Sequence, residues 1–428
     1  MEESVNAPSR WKKPLIGAGI VTVIIFCGLA AGLSRTDLNE AAGAYDKNKS
    51  DAEQAGLYFD RSQVDALYAV PAADNGAQLI QSVLPVIQKL KLDNSKPIAP
   101  GFLAAHSAEI EPAVATIEEA SHRKYLMFKR DFSNPAATPF PEFSGVKRWV
   151  AVLVQLGHDA AEKKEYAKTQ RYLTLAAYLS NKMDSEGLLI GVLVRIACLA
   201  VVEKELKGMI SAHGNDPATI QVIDEVLVAL DQPYDLKKPI RIEHWFGTSM
   251  VDAFLNDPKT YASLSGSTGI PNEIRYGKYL PRFKRANLSR IYRFYADAAN
   301  GMPADSADLV GIQQGFSSMD LAAMKPGLSY SMLGVMAPVF SQTGVAIAKE
   351  IAQRNALRQA VALIKSGAAP GAGLPLKGRF AMDVDGKPIR MKKLESGWIV
   401  YSVGMDRVDD GGVEAPMGKG DYVVHLPK

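Results

Sequence analysis

Cysteine is nearly missing from this chain: 428 residues hold two, Cys27 and Cys198. With Cys27 inside a long apolar run, no disulfide can form within a folded domain, and no Cys/His spacing of a zinc site exists. An oxidising compartment is therefore neither shown nor excluded. Histidine is also scarce; His106, His122, His158, His213, His244 and His425 sit at no ligand spacing. A surplus of charge of one sign is missing too. The net charge of +3 is too small for the electrostatic footprint of a nucleic-acid binder. Catalytic fingerprints are absent: there is no phosphate-binding loop, no G-x-S-x-G elbow, no H-E-x-x-H helix and no dinucleotide fingerprint. Glu243-His244 beside Trp245 is the best isolated acid/base pair, and helix packing explains it as well.

What the chain does have is one long uncharged run. Leu15 to Leu33 reads LIGAGIVTVIIFCGLAAGL, with Thr22 its only hydroxyl. As a helix it would be about 28 Å long, enough to cross the hydrocarbon core of a bilayer. A cleaved signal peptide has a shorter apolar region and a polar, small-residue cleavage site. Gly28-Leu29-Ala30 could serve as one, but the apolar run continues through it, which favours an uncleaved anchor. Phe26 before Cys27 is too bulky for a lipoprotein signal. Arg10, Lys12 and Lys13 precede the run, and only Arg35 follows closely. That bias keeps the N-terminus in the cytoplasm and places the large domain outside it.

The remainder reads as mainly α, and 47% hydrophobic residues are ample for a core. After a cytoplasmic 1–14 and a transmembrane helix over 15–33, the polar residues 34–70 read as a stalk or linker. Residues 71–366 form the expected α-helical domain. Asp74 caps a helix carrying Ile80, Val83, Leu84 and Ile87, and Val146, Trp149, Val150 and Leu153 mark another. Paired helices with small and aromatic residues over 144–181 resemble tetratricopeptide-like helix hairpins, without a clean repeat. Leu188 to Val202 is a buried core helix rather than a second span, because Arg195 sits at its centre and demands a carboxylate or carbonyl partner. The helix over 281–299 interleaves Arg282, Lys284, Arg285, Arg290 and Arg293 with aromatics; a solvated amphipathic face is the first reading, and anionic lipid or nucleic acid the second. A long helix follows from Pro338 to about Lys365. At Gly367 to Gly373 the pattern changes to β, and 367–428 read as a small antiparallel lobe. Its four strands lie over 379–384, 389–393, 398–403 and 421–426, the first two joined at Asp385-Gly386.

The lobe contains the one stretch with specific chemistry. Gly404-Met405-Asp406-Arg407-Val408-Asp409-Asp410-Gly411-Gly412 is followed, after a second Gly-rich piece, by Asp421. Hard cations want six to eight oxygens, and glycines let backbone carbonyls turn inward. The spacing is not that of an EF-hand. Asp383-Val384-Asp385-Gly386-Lys387-Pro388, Tyr401-Ser402-Val403-Gly404-Met405-Asp406, Gly411-Gly412 and Asp421-Tyr422-Val423 together resemble the C-terminal sheet of the major pseudopilin of type II secretion. That family binds calcium in this loop. The resemblance implies Asp406 and Asp421 as side-chain ligands, the carbonyl of Val403 as a backbone ligand, and Asp409 and Asp410 as further candidates. Val384 and Asp385 replace that family's Pro-Trp pair, and Arg407 stands where it has glycine. The N-terminus lacks a pilin processing site, so the chain is not read as a pilin subunit. The whole layout, with Asn75-Gly76-Ala77-Gln78-Leu79-Ile80 at its start, resembles a group of bacterial membrane-anchored helical proteins from which no activity follows.

These readings converge on a non-enzymatic, single-pass protein of the bacterial cytoplasmic membrane. Its extracytoplasmic domain would bind or scaffold a protein partner, with no nucleic acid, and its C-terminal lobe would be stabilised by calcium. The alternatives are an accessory of a type II secretion or pilus-like system and an enzyme with its site in the helical domain.

Overall fold

The computed structural model of the chain describes residues 35–92, 97–132, 138–260, 270–323, 325, 327–333, 340–367, 373–395, 397–404, 406–414 and 420–427. The apolar run Leu15 to Leu33 lies outside the described residues. Among those described, no helix is long and apolar enough to cross a membrane. The fold is mainly helical, with a small three-stranded antiparallel sheet near the C-terminus.

The first helices arise from local signals. Helical residues 35–43 lead into α1 (Tyr45–Gln54). Asp60 caps α2 (Arg61–Tyr68) by accepting from Ser62 N at 2.8 Å, while Gln63 Oε1 accepts from Asp60 N at 3.0 Å. Then come α3 (Ala77–Lys89), α4 (Ser107–Ser121) and α5 (Pro141–Glu162), the last with proline in its first turn. Against α5 lies α6 (Tyr166–Lys182). A Cβ on Gly157 would stand 2.7 Å from a Leu173 methyl, so glycine sets how closely these two helices approach.

Next is α7 (Leu189–His213), apolar on most sides and buried at Val192, Cys198, Leu199, Val202 and Leu206. Asp216 caps α8 (Pro217–Leu230) through Ala218 N. Then α9 (Lys237–Asn256), α10 (Phe283–Gly301), α11 (Leu309–Ala323) and α12 (Phe340–Ser366) complete the helical part. In a tetratricopeptide-like stack each hairpin touches mainly its neighbours. Here α12 packs on α7, α8, α11 and the sheet, and α1 packs on α10 far away in sequence. The helices therefore close into one body.

Residues 35–68, read above as a stalk or linker, are instead part of that body. Leu38, Ala41, Ala42, Ala52 and Leu57 are buried in the main core, and Val64 joins Phe132, Leu188, Ile242, Trp245 and Phe246 in a smaller one. Small residues spaced three to four apart make a stripe narrow enough for α1 to lie close on α10. Asn48, buried in that seam, donates to Ser289 O at 3.2 Å and to Ser289 Oγ at 2.9 Å.

The sheet runs in the order β1 (Arg390–Leu394), β2 (Gly397–Ser402), β3 (Tyr422–His425). Met391 pairs with Val400, and Val400 with Val424. The strand expected over 379–384 is absent: the chain makes a 3-10 turn at Gly378–Ala381 and one bridge between Met382 and Pro388. Side-chain amides of α12 take the carbonyls a ladder would have used. Asn355 donates to Arg379 O and Met382 O, and Gln359 to Leu376 O. The Asp385-Gly386 turn itself is present, with Gly386 at φ +77°. Val384, Ile389, Val400, Val403 and Val424 share the helical core, so the lobe packs as an extension of the helices.

Candidate functional site

The carboxylates of the lobe, from the turn before β1 and from the loop between β2 and β3, fall into two groups. The first surrounds Arg390 at the start of β1. Its Nη1 donates to Asp383 Oδ2 at 2.8 Å, Nη2 to Asp385 Oδ2 at 2.5 Å and Nε to Asp409 Oδ2 at 2.9 Å. A planar guanidinium with donors on three edges suits this arrangement, and a lysine point charge would not. Asp383 is fully buried and further held by Ser402 Oγ at 2.6 Å and Val403 N at 3.0 Å. Asp409 also accepts from Gly411 N and from the Tyr401 hydroxyl. Burial works against its charge, yet those donors and Arg390 hold its carboxyl below the ordinary range. Asp409, a candidate ligand, thus already has a cation.

Outside the Arg390 group are Asp421, at the end of the β2–β3 loop, and Asp406, near its start. Asp421 is buried at 3% exposure. It accepts from Gly412 N at 2.6 Å and from Asp410 N at 3.4 Å. Burial raises its pKa, and the nearby charges of Asp409 and Asp410 push the same way. Asp421 lines a cavity of about 180 Å³ together with Val403, Gly404, Gly420 and Glu414. Asp406 is exposed; its Oδ1 accepts from Val408 N at 3.1 Å. A Cβ on Gly404 would stand 2.5 Å from Gly420 O and 3.5 Å from that same Oδ1, so backbone oxygen and carboxylate gather at this corner. Asp410 faces solvent. Among the described residues, no three carboxylate, imidazole or thiol side chains form a metal-binding group. Arg407 takes left-handed backbone at φ +59°, a conformation that favours glycine. It is pinned there by two bonds to Gln313 Oε1, at 2.6 and 3.1 Å.

Comparison of the chain with protein-family models, curated proteins and solved structures finds no match. The site is therefore read from its own geometry.

The lobe meets the helices over a buried ionisable cluster that spacing alone did not reveal. Glu203 of α7 is 1% exposed, and neither of its oxygens has a hydrogen-bond partner among the described residues. Burial raises its pKa well above the glutamate range, and Glu350 of α12 adds to the rise. Glu350 accepts from the Tyr234 hydroxyl at 2.9 Å and pairs with Arg354 at 3.0 Å. Tyr422 of β3 brings to the same region a buried hydroxyl without a hydrogen-bond partner among the described residues. Lys207 ties the outside of the junction to Glu414 and covers the Tyr422 ring. The only sequence signal was a glutamate inside the apolar stripe Leu199, Val202, Leu206, Ile210 of α7.

The remaining candidates go elsewhere. His244 is fully buried against Phe59, Tyr292 and Tyr295, with Nδ1 at 2.8 Å from Tyr58 O. Burial pushes its imidazole down to about 4. Glu243 accepts from Leu189 N at 3.1 Å, and burial pushes its carboxyl up to about 7. The pair holds α9 to its neighbours and does not meet Arg195, which pairs with Asp184 at 2.6 Å as its buried position demanded. Arg282 before α10 and the four cations named within it are all engaged within the chain. Arg282 bonds Asn39, Lys284 pairs with Asp252, Arg285 with Asp46 and Arg293 with Asp297; Arg290 bonds Ser329 and stands 3.5 Å from Asp37.

Proposed function

We propose that the chain is a non-enzymatic, membrane-anchored extracytoplasmic binding or scaffolding protein with a C-terminal lobe stabilised by calcium. The observation that carries the lobe chemistry is Asp421. Its buried carboxylate has hydrogen-bond donors and, among the described residues, no ion pair, although Lys349 lines the same cavity, whereas Asp383, Asp385 and Asp409 share Arg390. A buried charge needs a counter-charge or a proton. Two carboxylates, Asp421 and Asp406, with carbonyls such as those of Val403 and Gly420, suit a hard divalent cation that takes much of its shell from backbone and water. Asp409 and Asp410 fall outside that reduced set. The scaffolding reading is supported by how the other buried ions are used. Arg130 joins Glu186, between α6 and α7, and Glu142 of α5 at 2.8 and 2.6 Å; these pairs lock separate parts of the chain together. Anchoring rests on the run Leu15 to Leu33, which precedes the first described helix directly.

Thermal unfolding of the full chain in detergent, with calcium and then with chelator, tests the lobe. Calcium at a hundred times its dissociation constant should add about 2.7 kcal/mol, and Asp406→Ala with Asp421→Ala should abolish the gain. An unchanged melting temperature at millimolar calcium would remove the metal from the reading. Protease accessibility in intact cells tests the topology, and a cytoplasmic C-terminus would overturn it.

A further inference from the structure

One end of the helical body gathers three connections: the residues after α4, the turn between α6 and α7, and the link from α8 to α9. Between them lies a cavity of about 300 Å³. Its ionisable lining is Lys124, Lys182, Lys238, Arg195, Asp184 and Asp235.

The two carboxylates are already committed. Asp184 pairs with Arg195, and Asp235 caps α9, accepting from Lys237 N at 3.1 Å and Lys238 N at 3.0 Å. Arg195 is 1% exposed and held rigidly. Its Nη1 also reaches Pro233 O, its Nη2 bonds Gln232 O, its plane stacks 3.9 Å from the Tyr234 ring, and its Nε has no hydrogen-bond partner among the described residues. Two lysines are fixed from opposite sides. Lys182 donates to Lys124 O at 2.8 Å, and Lys238 donates to Ser185 O at 2.6 Å. An ammonium has three N–H donors, so each keeps two to give. Burial lowers the pKa of both, despite the nearby carboxylates. The chain thus holds half-buried cations together against their desolvation cost, in a space larger than their own side chains need.

We propose that this cavity binds a small oxyanion of two negative charges, a phosphate or phosphomonoester, on the ammonium groups of Lys182 and Lys238 beside Arg195, with exposed Lys124 at the rim. A tetrahedral group with several acceptor oxygens can use the unspent donors together, and charge-assisted bonds of this kind are the strong ones. The volume leaves room for an organic portion, with Tyr125, Pro233 and Pro239 as its apolar walls. The site lies on elements other than the acidic loop, so it stands or falls independently of calcium in the lobe.

Isothermal titration of the full chain in detergent with inorganic phosphate and with phenyl phosphate, at matched ionic strength, tests it. Saturable binding is expected, tighter for phenyl phosphate, weakened about tenfold by Lys182→Gln and again by Lys238→Gln, the scale of one charge-assisted hydrogen bond. No saturable binding of either probe at millimolar concentration, or equal binding by the double variant, would overturn the proposal. In case the variants unfold, amine acylation of the unmodified chain gives a second reading. Phosphate should protect Lys182 and Lys238 and leave exposed Lys47 unchanged; equal labelling with and without phosphate would also overturn it.

Discussion

Replacing Arg390 with methionine should destabilise the C-terminal lobe by about 3 kcal/mol or more, the scale found when one partner of a buried ion pair is removed. The size follows from what is left behind. Asp383 and Asp385 are almost wholly enclosed, and their carboxylates, with that of Asp409, would face one another without a cation. Methionine keeps the packing of the stem, so the loss reports charge rather than volume. Lysine at this position should recover only part of the stability, because one ammonium cannot span three carboxylates.

The pH dependence separates this cause from a packing defect. In the variant the clustered carboxylates repel one another, so their folded-state pKa values rise above the unfolded ones. The penalty is then absent at low pH, where all are protonated, and grows as pH rises through the carboxylate range. Denaturant unfolding of both proteins at pH 4 and pH 8 should show curves that converge at the acid end. A gap of equal size at both would mean that the guanidinium acts through packing alone. Millimolar calcium should restore part of the variant's stability by taking the vacated position among Asp383, Asp385 and Asp409, and chelator should remove that gain.

This arrangement also explains what the sequence could and could not convey. The change from helix to strand after Ser366 is local: a Gly-rich break, then β-branched and aromatic residues in Trp398, Ile399, Val400, Tyr401, Val423 and Val424, and it is where the sheet lies. The long helices were legible for the same reason, since Val146, Trp149, Val150 and Leu153 of α5 or Ile347, Ile351, Leu357 and Val361 of α12 repeat at helical spacing. Asp421 could be picked out as unlike its neighbours only through a likeness to another family. Its burial depends on Tyr422 and Val424 docking on helices. That Asp409 of the loop shares Arg390 with Asp383 and Asp385 was not visible in the loop, because the cation arrives from β1 and the other two acids from the turn before it. Residues 35–68 have the composition of a linker but the pattern of packed helices. Their polar residues are real, but Leu38, Ala41, Ala42, Tyr45, Asn48 and Ala52 recur on one face, and that face is the seam with α10. Buried ion pairs were the least legible of all. Arg195 announced its need for a partner, yet Asp184, Gln232 and Pro233 come from two different connections.

Glu203 provides the second large effect, and its sign is opposite. Glu203→Gln should stabilise the protein by about 2 kcal/mol at pH 8, since a buried carboxylate without its own cation is worth less than a neutral group of the same shape. Arg354 is the near cation, and it is already paired with Glu350 and bonded to Leu230 O. The proton on Glu203 therefore resolves the conflict between the two glutamates, and the folded-state pKa lies above the unfolded one. Stability from this group is full below the unfolded pKa, roughly pH 4, and is lost as pH rises toward the folded value, because the unfolded chain releases a proton that the folded chain retains. The wild-type protein should accordingly lose stability from pH 5 to pH 8, and the glutamine variant should lose much less. Its amide can still donate to Glu350, which leaves the Tyr234 and Arg354 contacts in place. If instead the variant were less stable than wild type by the same amount at both pH values, Glu203 would be ionised and paired in the folded state. The junction between α7, α12 and β3 would then be an ion-pair network rather than a proton-sharing one. Either result bears on the lobe, because Tyr422 next to Glu203 is one residue from Asp421. With Glu203 neutral, the negative charge left at that corner belongs to the loop carboxylates, Asp421 with Asp410 beside it, and a divalent cation that binds there offsets them together.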